Sequence, residues 1–264
     1  YTLKVKTKTE EEEFKINIID TQYGTLYGDE IWRGEHIIRK EVIVPSGMTL
    51  QIGDTSKSEY ETDMKCLCIG KINEEEKAGI IVEEGGCLIV DEGNRRKIEF
   101  VQGILKTNNY EEATEEDKTL QNMWKGIKVK GSLEGDTLRI NDAEQGLEID
   151  SLATVTLKEG EGLFIDRCKK GILMEGKGIN VTGISIKGST GYGIKTNGKI
   201  ECENLQIDES RQGVILKEGA ELNIGKIEIA NCIVGLHILG GKLQVGSGEI
   251  SNCTDYGIKI EQIL

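Results

Sequence analysis

One proline and two histidines stand in a chain of 264 residues, and aromatic residues make up only 5% of it. Irregular loops draw on proline and glycine together, so a single proline beside 34 glycines points to tight turns rather than long connections. With so few aromatics, the core has to be aliphatic. No apolar run reaches the ~18 residues of a membrane-spanning helix. Positive charge is also short: 33 Lys and Arg against 46 Asp and Glu leave a net charge of −13, with a pI near 4.9. A surface that acidic repels phosphate backbones and anionic lipid, which argues against nucleic-acid and membrane-surface partners. The chain opens at Tyr1 with neither Met nor an apolar signal segment, as expected of a mature form or an excised fragment.

The seven cysteines (66, 68, 87, 168, 202, 232 and 253) contain no C-x-x-C pair, and an odd number cannot all pair within one chain. His36 and His237 are the only imidazoles, so a zinc site would have to gather its ligands from distant segments. The cysteine positions have a steric explanation in the repeat.

From residue 138 onward Ile140, Ile165, Ile186, Ile207, Ile229 and Ile250 recur at intervals of 25, 21, 21, 22 and 21. Two residues before them stand Leu138, Leu163, Ile184, Leu205, Ile227 and Gly248, and three after them Ala143, Cys168, Ser189, Ser210, Cys232 and Cys253. Glycine follows at 146, 171, 193, 213, 235 and 257, each opening a further alternating segment. Another alternating triplet precedes each repeat, as in Val155-Thr156-Leu157 and Ile200-Glu201-Cys202. Alternation of period two means strand, with the apolar residues on one face. Three short strands and their tight corners consume about 22 residues in one closed turn, and successive turns then pair in parallel at ~4.8 Å. The pattern therefore predicts a parallel β-helix. Its length per turn and the crossover preference of parallel strands predict the right-handed form. The isoleucines form a ladder in the core. The small-residue column forms a tight corner that admits Cys168, Cys232 and Cys253 as small hydrophobes, and Cys202 takes an aliphatic position within a strand. All four are expected to be free thiols.

The N-terminal part reads the same way with less regularity. Residues 41–52 are strand, a Pro45-Ser46-Gly47 turn and strand; 79–82, 87–90 and 98–100 make another turn. Residues 105–123, rich in Asn and Glu, read as a polar loop thrown out of the coil, which resumes at Trp124. The two W-x-G sequences, Trp32-Arg33-Gly34 and Trp124-Lys125-Gly126, are expected to set a Trp over a coil edge. Residues 1–31 break the pattern and read as a β-rich leader or cap, with alternation at Leu3-Lys4-Val5 and over 14–18, and Glu10 to Glu13 as a solvated turn. The β-helix proper is assigned to 32–264.

Val44-Pro45-Ser46-Gly47-Met48-Thr49-Leu50-Gln51-Ile52, the G-x-L-x-V at 86–90 and the W-x-G-I at 124–127 resemble the right-handed parallel β-helix domains of the pectin-lyase-like superfamily, in particular bacterial cell-surface members. The resemblance covers roughly 32–264. It implies the fold, but such coils serve as lyases, hydrolases, epimerases, adhesins and inert stalks. For a lyase it implies acidic calcium ligands stacked on an outward face beside an Arg or Lys base. A hydrolase would need paired carboxylates at acid–base separation.

Inward residues are used in packing, so any chemistry has to sit outward. The outward column of the first strand is Thr156, Asn180, Glu201, Asn223 and Gln244, a flat hydrogen-bonding face that reads first as a polar exterior for solubility and alternatively as a grip for a glycan or a partner strand. The second is Arg139, Phe164, Ser185, Gln206, Glu228 and Glu249, and the third Glu148, Leu173, Lys195, Ile215, His237 and Lys259. No column stacks Asp on Asp, the Asn-Thr-Asp, Asp-Asp, Gly-His-Gly and Arg-Ile-Lys signatures do not occur, and His237 reads as a surface residue. Asn231 and Asn252 are expected to form a short ladder. Acidic runs at 74–76, 111–112 and 115–117 lack the alternating spacing of a calcium loop and read as solvated. No catalytic residue, metal ligand or cofactor is assigned, and calcium has no support in the spacing.

The sequence thus predicts a non-catalytic, extracellular or cell-surface β-helix: a stalk, adhesin segment or assembly subunit. The alternative is a glycan-binding or glycan-cleaving enzyme. Ile258, Ile260, Ile263 and Leu264 would lie bare on an uncapped last turn, so the expected partner is a second copy or an adjacent domain docking on that end.

Overall fold

The computed structural model describes residues 2–6, 11–15, 21–53, 63–70, 77–92, 97–106, 109–118 and 122–261. Over these the chain is all β without a helix, and it winds as a parallel β-helix of about ten turns. Register neighbours across successive turns are the residues that recur in sequence. Ile140, Ile165, Ile186, Ile207, Ile229 and Ile250 lie over one another. The same column runs on toward the N-terminus through Phe100, Cys66 and His36, where the repeat is not visible in the sequence. Nearly all inward aliphatics are closed to solvent and form one continuous core.

Of the three alternating segments in each turn, the first two run on as one hydrogen-bonded strand. Lys199–Asp208 is an example: Ile200 and Cys202 point inward, then Leu205 and Ile207, with Glu203 and Asn204 both exposed between them. The alternation skips one beat there, and the strand bends around the core while its pairing with the next turn continues on both sides. The third segment, such as Gln212–Leu216, is a separate five-residue strand.

Two features of the backbone hold the corners. The residue two after each ladder isoleucine has a left-handed conformation: Asp142, Arg167, Gly188, Glu209, Asn231 and Asn252, with φ between 51° and 67°. That twist sends the chain around the corner and brings the next small side chain inward, and the amide of Arg167 still donates to the Lys187 carbonyl at 2.9 Å. Asn is among the residues that tolerate this conformation best. Asn231 and Asn252 therefore serve the backbone turn, and the Asn231 side chain donates to Asp208 at 2.7 Å rather than to a second asparagine. The glycine column answers a different demand. A Cβ on Gly171 would lie 2.2 Å from the Gly193 carbonyl oxygen, one on Gly213 2.4 Å from that of Gly235, and one on Gly235 2.6 Å from that of Gly257. The turns approach too closely there for any side chain.

The N-terminal half departs from the sequence expectations in four places. Thr21–Thr25 and Glu30–Trp32 already pair in parallel with the strands over 36–44 and 49–52, so the coil begins ahead of residue 32. Thr, Gln and Tyr at 21–23 hide its alternation. Before it, Thr2–Lys6 and Glu11–Lys15 form an antiparallel two-stranded sheet, which puts Glu11 to Glu13 in a strand rather than a solvated turn; Ile16 and Ile18 lie outside the described residues. Trp32 and Trp124 are inside the core instead of over an edge. Trp124 occupies the corner column one turn before Ala143, stacks near Phe100 (6.2 Å between ring centroids) and donates its indole N–H to the Asn141 carbonyl at 2.8 Å. Last, the excursion opens as a hairpin: Asn109–Glu112 folds antiparallel onto Ile98–Lys106. Tyr110 packs there against a small second cluster of Ile37, Leu67, Ile69 and Val101 on the outer flank. Lys118 returns the excursion to the coil by an ion pair with buried Asp142, 3.3 Å away.

Ile207→Ala should lower the free energy of unfolding by about 2–5 kcal/mol through transfer and cavity losses, while Gln206→Ala beside it, pointing outward, should cost no more than about 0.5 kcal/mol. Gly213→Ala should cost about 1–3 kcal/mol through overpacking. Urea unfolding followed by circular dichroism separates these, and equal losses at 206 and 207 would contradict the inward and outward assignment.

Candidate functional site

The first outward column is stacked in register: Thr156 opposite Asn180, then Glu201, Asn223 and Gln244. Beside it runs the bend in the long strands, where consecutive residues turn outward and the surface folds into a shallow groove of about 600 Å³. Asn180, Glu201 and Asn223 line this groove together with Lys158, Thr182 and Glu203, while Val181, Cys202 and Gly225 form its floor. Thr156 and Gln244 stand one strand before and one strand after it in the column. Lys158, Thr182 and Glu203 were not among the residues singled out from the sequence. The signal for them existed, since each lies two residues after a member of the column and so projects from the same strand face. Glu201 accepts from Lys199 at 2.6 Å, a contact that raises the lysine above its ordinary range. The Thr182 hydroxyl donates to the Lys158 carbonyl at 3.1 Å. The groove thus offers amides, a hydroxyl, carboxylates and one ammonium at strand spacing, an arrangement fit for polar recognition along the coil.

The second face is occupied by internal pairing. Arg139 lies over the Phe164 ring (4.9 Å to its centroid), pairs with Glu161 at 2.7 Å and also with nearly buried Glu92. At the corner below, buried Asp142 accepts from Arg167 Nε at 2.9 Å. Desolvation pushes the Asp166 carboxyl upward, against the lowering effect of Arg167 beside it.

On the third face Glu148, Leu173, Lys195, Ile215, His237 and Lys259 are register neighbours. His237 is half-buried, with Nε2 3.2 Å from Glu261. The Lys259 ammonium, 2.5 Å away, is the main cause that holds the Glu261 carboxyl below its ordinary range. In the last turn Ile258 and Ile260 are 55% and 68% exposed, and Tyr256 is exposed beside them. Ile263 and Leu264 lie outside the described residues.

No family model, curated protein or solved structure matches the chain.

Among the described residues no three His, Cys, Asp or Glu converge as a metal site. Of the acidic runs, Glu74 to Glu76 lie outside the described residues; Glu112 pairs with Lys65 at 2.5 Å, Glu115 with Lys118 at 3.1 Å, and Asp117 accepts from the Thr114 hydroxyl at 2.6 Å. All seven cysteines are free. The corner thiols reach back to the carbonyl two residues earlier, Cys232 to Ala230 at 3.2 Å and Cys253 to Ser251 at 3.6 Å, which is the contact Ser210 makes with Asp208 at 3.4 Å. Burial pushes the thiols of Cys66, Cys168 and Cys202 up to about 12.

A thiol raised in the folded state stabilises the fold fully below its unfolded value of about 8.5 and loses that contribution as pH rises toward 12. Cys168→Ser, which copies the corner at Ser210, should therefore flatten the alkaline fall in stability. The expected difference is up to about 1.4 kcal/mol per pH unit between pH 9 and 12. Thermal unfolding across that range tests it; parallel curves for the two proteins would contradict the burial of the thiol.

Proposed function

We propose that this chain is a non-catalytic β-helical scaffold, a stalk, adhesin segment or assembly subunit working outside the cell or at its surface. The observation that carries it is an unbroken core through about ten turns whose lateral charges are engaged with one another from turn to turn. Lys128 with Glu148 at 2.6 Å, Lys130 with Glu83 at 2.9 Å, Lys125 with Glu41 at 2.9 Å and Lys242 with Glu221 at 3.1 Å each join different turns. Pairs of this kind add little stability singly. Their arrangement suits a stiff rod better than an acid–base centre. The motifs resembling the cell-surface members of the pectin-lyase-like superfamily support the same role and location.

A second role is favoured by the groove: the chain binds a glycan along Asn180, Glu201 and Asn223. A panel of acidic and neutral polysaccharides, with and without calcium, separates the two. The scaffold role predicts no cleavage of any of them. Cleavage of any polysaccharide would overturn it, and binding abolished by replacing all three groove residues with Ala would establish the glycan role.

A further inference from the structure

One turn of the coil is longer than its neighbours, and the groove starts there. Thr154–Asp166 runs 13 residues, where Ser132–Asn141 before it and Gly178–Lys187 after it run 10 each. Leu157 lies opposite Gly135 on one side and Val181 on the other, and Leu163 lies opposite Leu138 and Ile184. Two residues separate each of those neighbouring pairs, but five separate Leu157 from Leu163. Because the ladder keeps its register on both sides, the surplus cannot lie within it and forms a bulge. This is why Ile140 and Ile165 stand 25 residues apart where the later intervals are 21 or 22. The bulge is fixed in place. Gly160 lies against the turn before, where a Cβ would fall 2.3 Å from Thr137 Oγ1. The same hydroxyl oxygen accepts from the Glu161 amide at 3.0 Å, and the Glu161 carboxylate holds Arg139 at 2.7 Å. Lys158, at the foot of this ridge, lines the groove, and no residue of Ser132–Asn141 does. The groove therefore has a closed end.

From that end it runs across four successive turns, about 14 Å at ~4.8 Å per step. Its charges are unevenly placed. Lys158 stands at the closed end, and its ammonium has no ion-pair partner among the described residues. Two turns further on stand two carboxylates: Glu201 is held by Lys199 at 2.6 Å, while Glu203 has no such partner among the described residues. Asn180, Thr182 and Asn223, which complete the polar lining, are neutral.

A ligand in this groove meets a cation at its end and carboxylates along its body. A polymer acidic at every unit would set like charges against Glu201 and Glu203, and the net charge of −13 adds to that repulsion. A wholly neutral chain would leave Lys158 unused. A neutral chain whose last sugar carries a carboxylate meets both demands, with its acid on Lys158 and its hydroxyls on the amides and carboxylates beyond. The ridge makes this an end, since the chain cannot continue past Lys158. We propose that the groove binds the end of a neutral oligosaccharide capped by one carboxylated sugar, and that Lys158 selects the cap.

The proposal rests on the glycan role of the groove and narrows it. Calorimetry with three probes tests it: lactose, lactose capped by sialic acid, and a hyaluronan hexasaccharide, whose carboxylates recur along its length. Sialyllactose should bind about fivefold more tightly than lactose, the order of one exposed ion pair, and more tightly still than hyaluronan. Lys158→Gln should unfold at the wild-type midpoint in urea and bind sialyllactose and lactose alike. Glu203→Gln should strengthen the binding of hyaluronan. Lactose or hyaluronan bound as tightly as sialyllactose by the wild type would overturn the proposal and leave the glycan role standing. An undiminished preference for sialyllactose in Lys158→Gln would do the same. If none of the three binds, the proposal falls, and the polysaccharide panel alone decides the glycan role.

Discussion

Backbone hydrogen bonds between successive turns hold equivalent residues about 4.8 Å apart, and the rest of the molecule is arranged around that spacing. It brings the ladder isoleucines into side-chain contact, so that a modest apolar content of 37% encloses a continuous core. It leaves no room for a Cβ on the inner glycines of the third strand. It also explains how Lys and Glu separated by 20 or 47 residues, such as Lys128 with Glu148 and Lys130 with Glu83, come to share one face.

The corners show the conformational cost of holding that spacing. Each turn from Asp142 onward passes through a left-handed residue, and the chain fills that position with Asp, Arg, Glu and Asn as well as Gly. Left-handed Arg167 and Glu209 are disfavoured by roughly 1–2 kcal/mol apiece. They persist because the surrounding ladder determines the backbone on both sides: the amide of Glu209 reaches the Ala230 carbonyl at 3.3 Å and that of Asn231 the Ser251 carbonyl at 3.3 Å. The small residue that follows must fit between turns, which is why Ala, Ser and Cys alternate there without any redox logic.

Two surfaces stand apart from this regularity. The groove forms where the long strands bend, because the skipped beat of the alternation turns neighbouring residues such as Glu203 and Asn204 outward together. The last turn exposes the same tier of aliphatics that every earlier turn covers. The first lies on the side of the coil and the second across its axis. The excursion, described over 109–118, adds local thickness on the flank, pinned by Tyr110 on one side and by Lys118 on Asp142 on the other.

The sequence by itself determined the solenoid. A 21- or 22-residue recurrence of Ile, of small residues and of Gly can be met only by stacked parallel turns, so the inward and outward columns from 138 onward were legible without coordinates. In the first hundred residues the same ladder is filled by His36, Cys66 and Phe100, whose chemistry hides their equivalence; there only the pairing register reveals it. Tertiary structure alone decided that Trp124 plugs the core and that the Asn109–Glu112 strand folds back on the flank. Periodicity reports which face of a strand a residue occupies. How wide the coil is, and where it bends, depend on side-chain volumes meeting across the core from residues far apart in the chain.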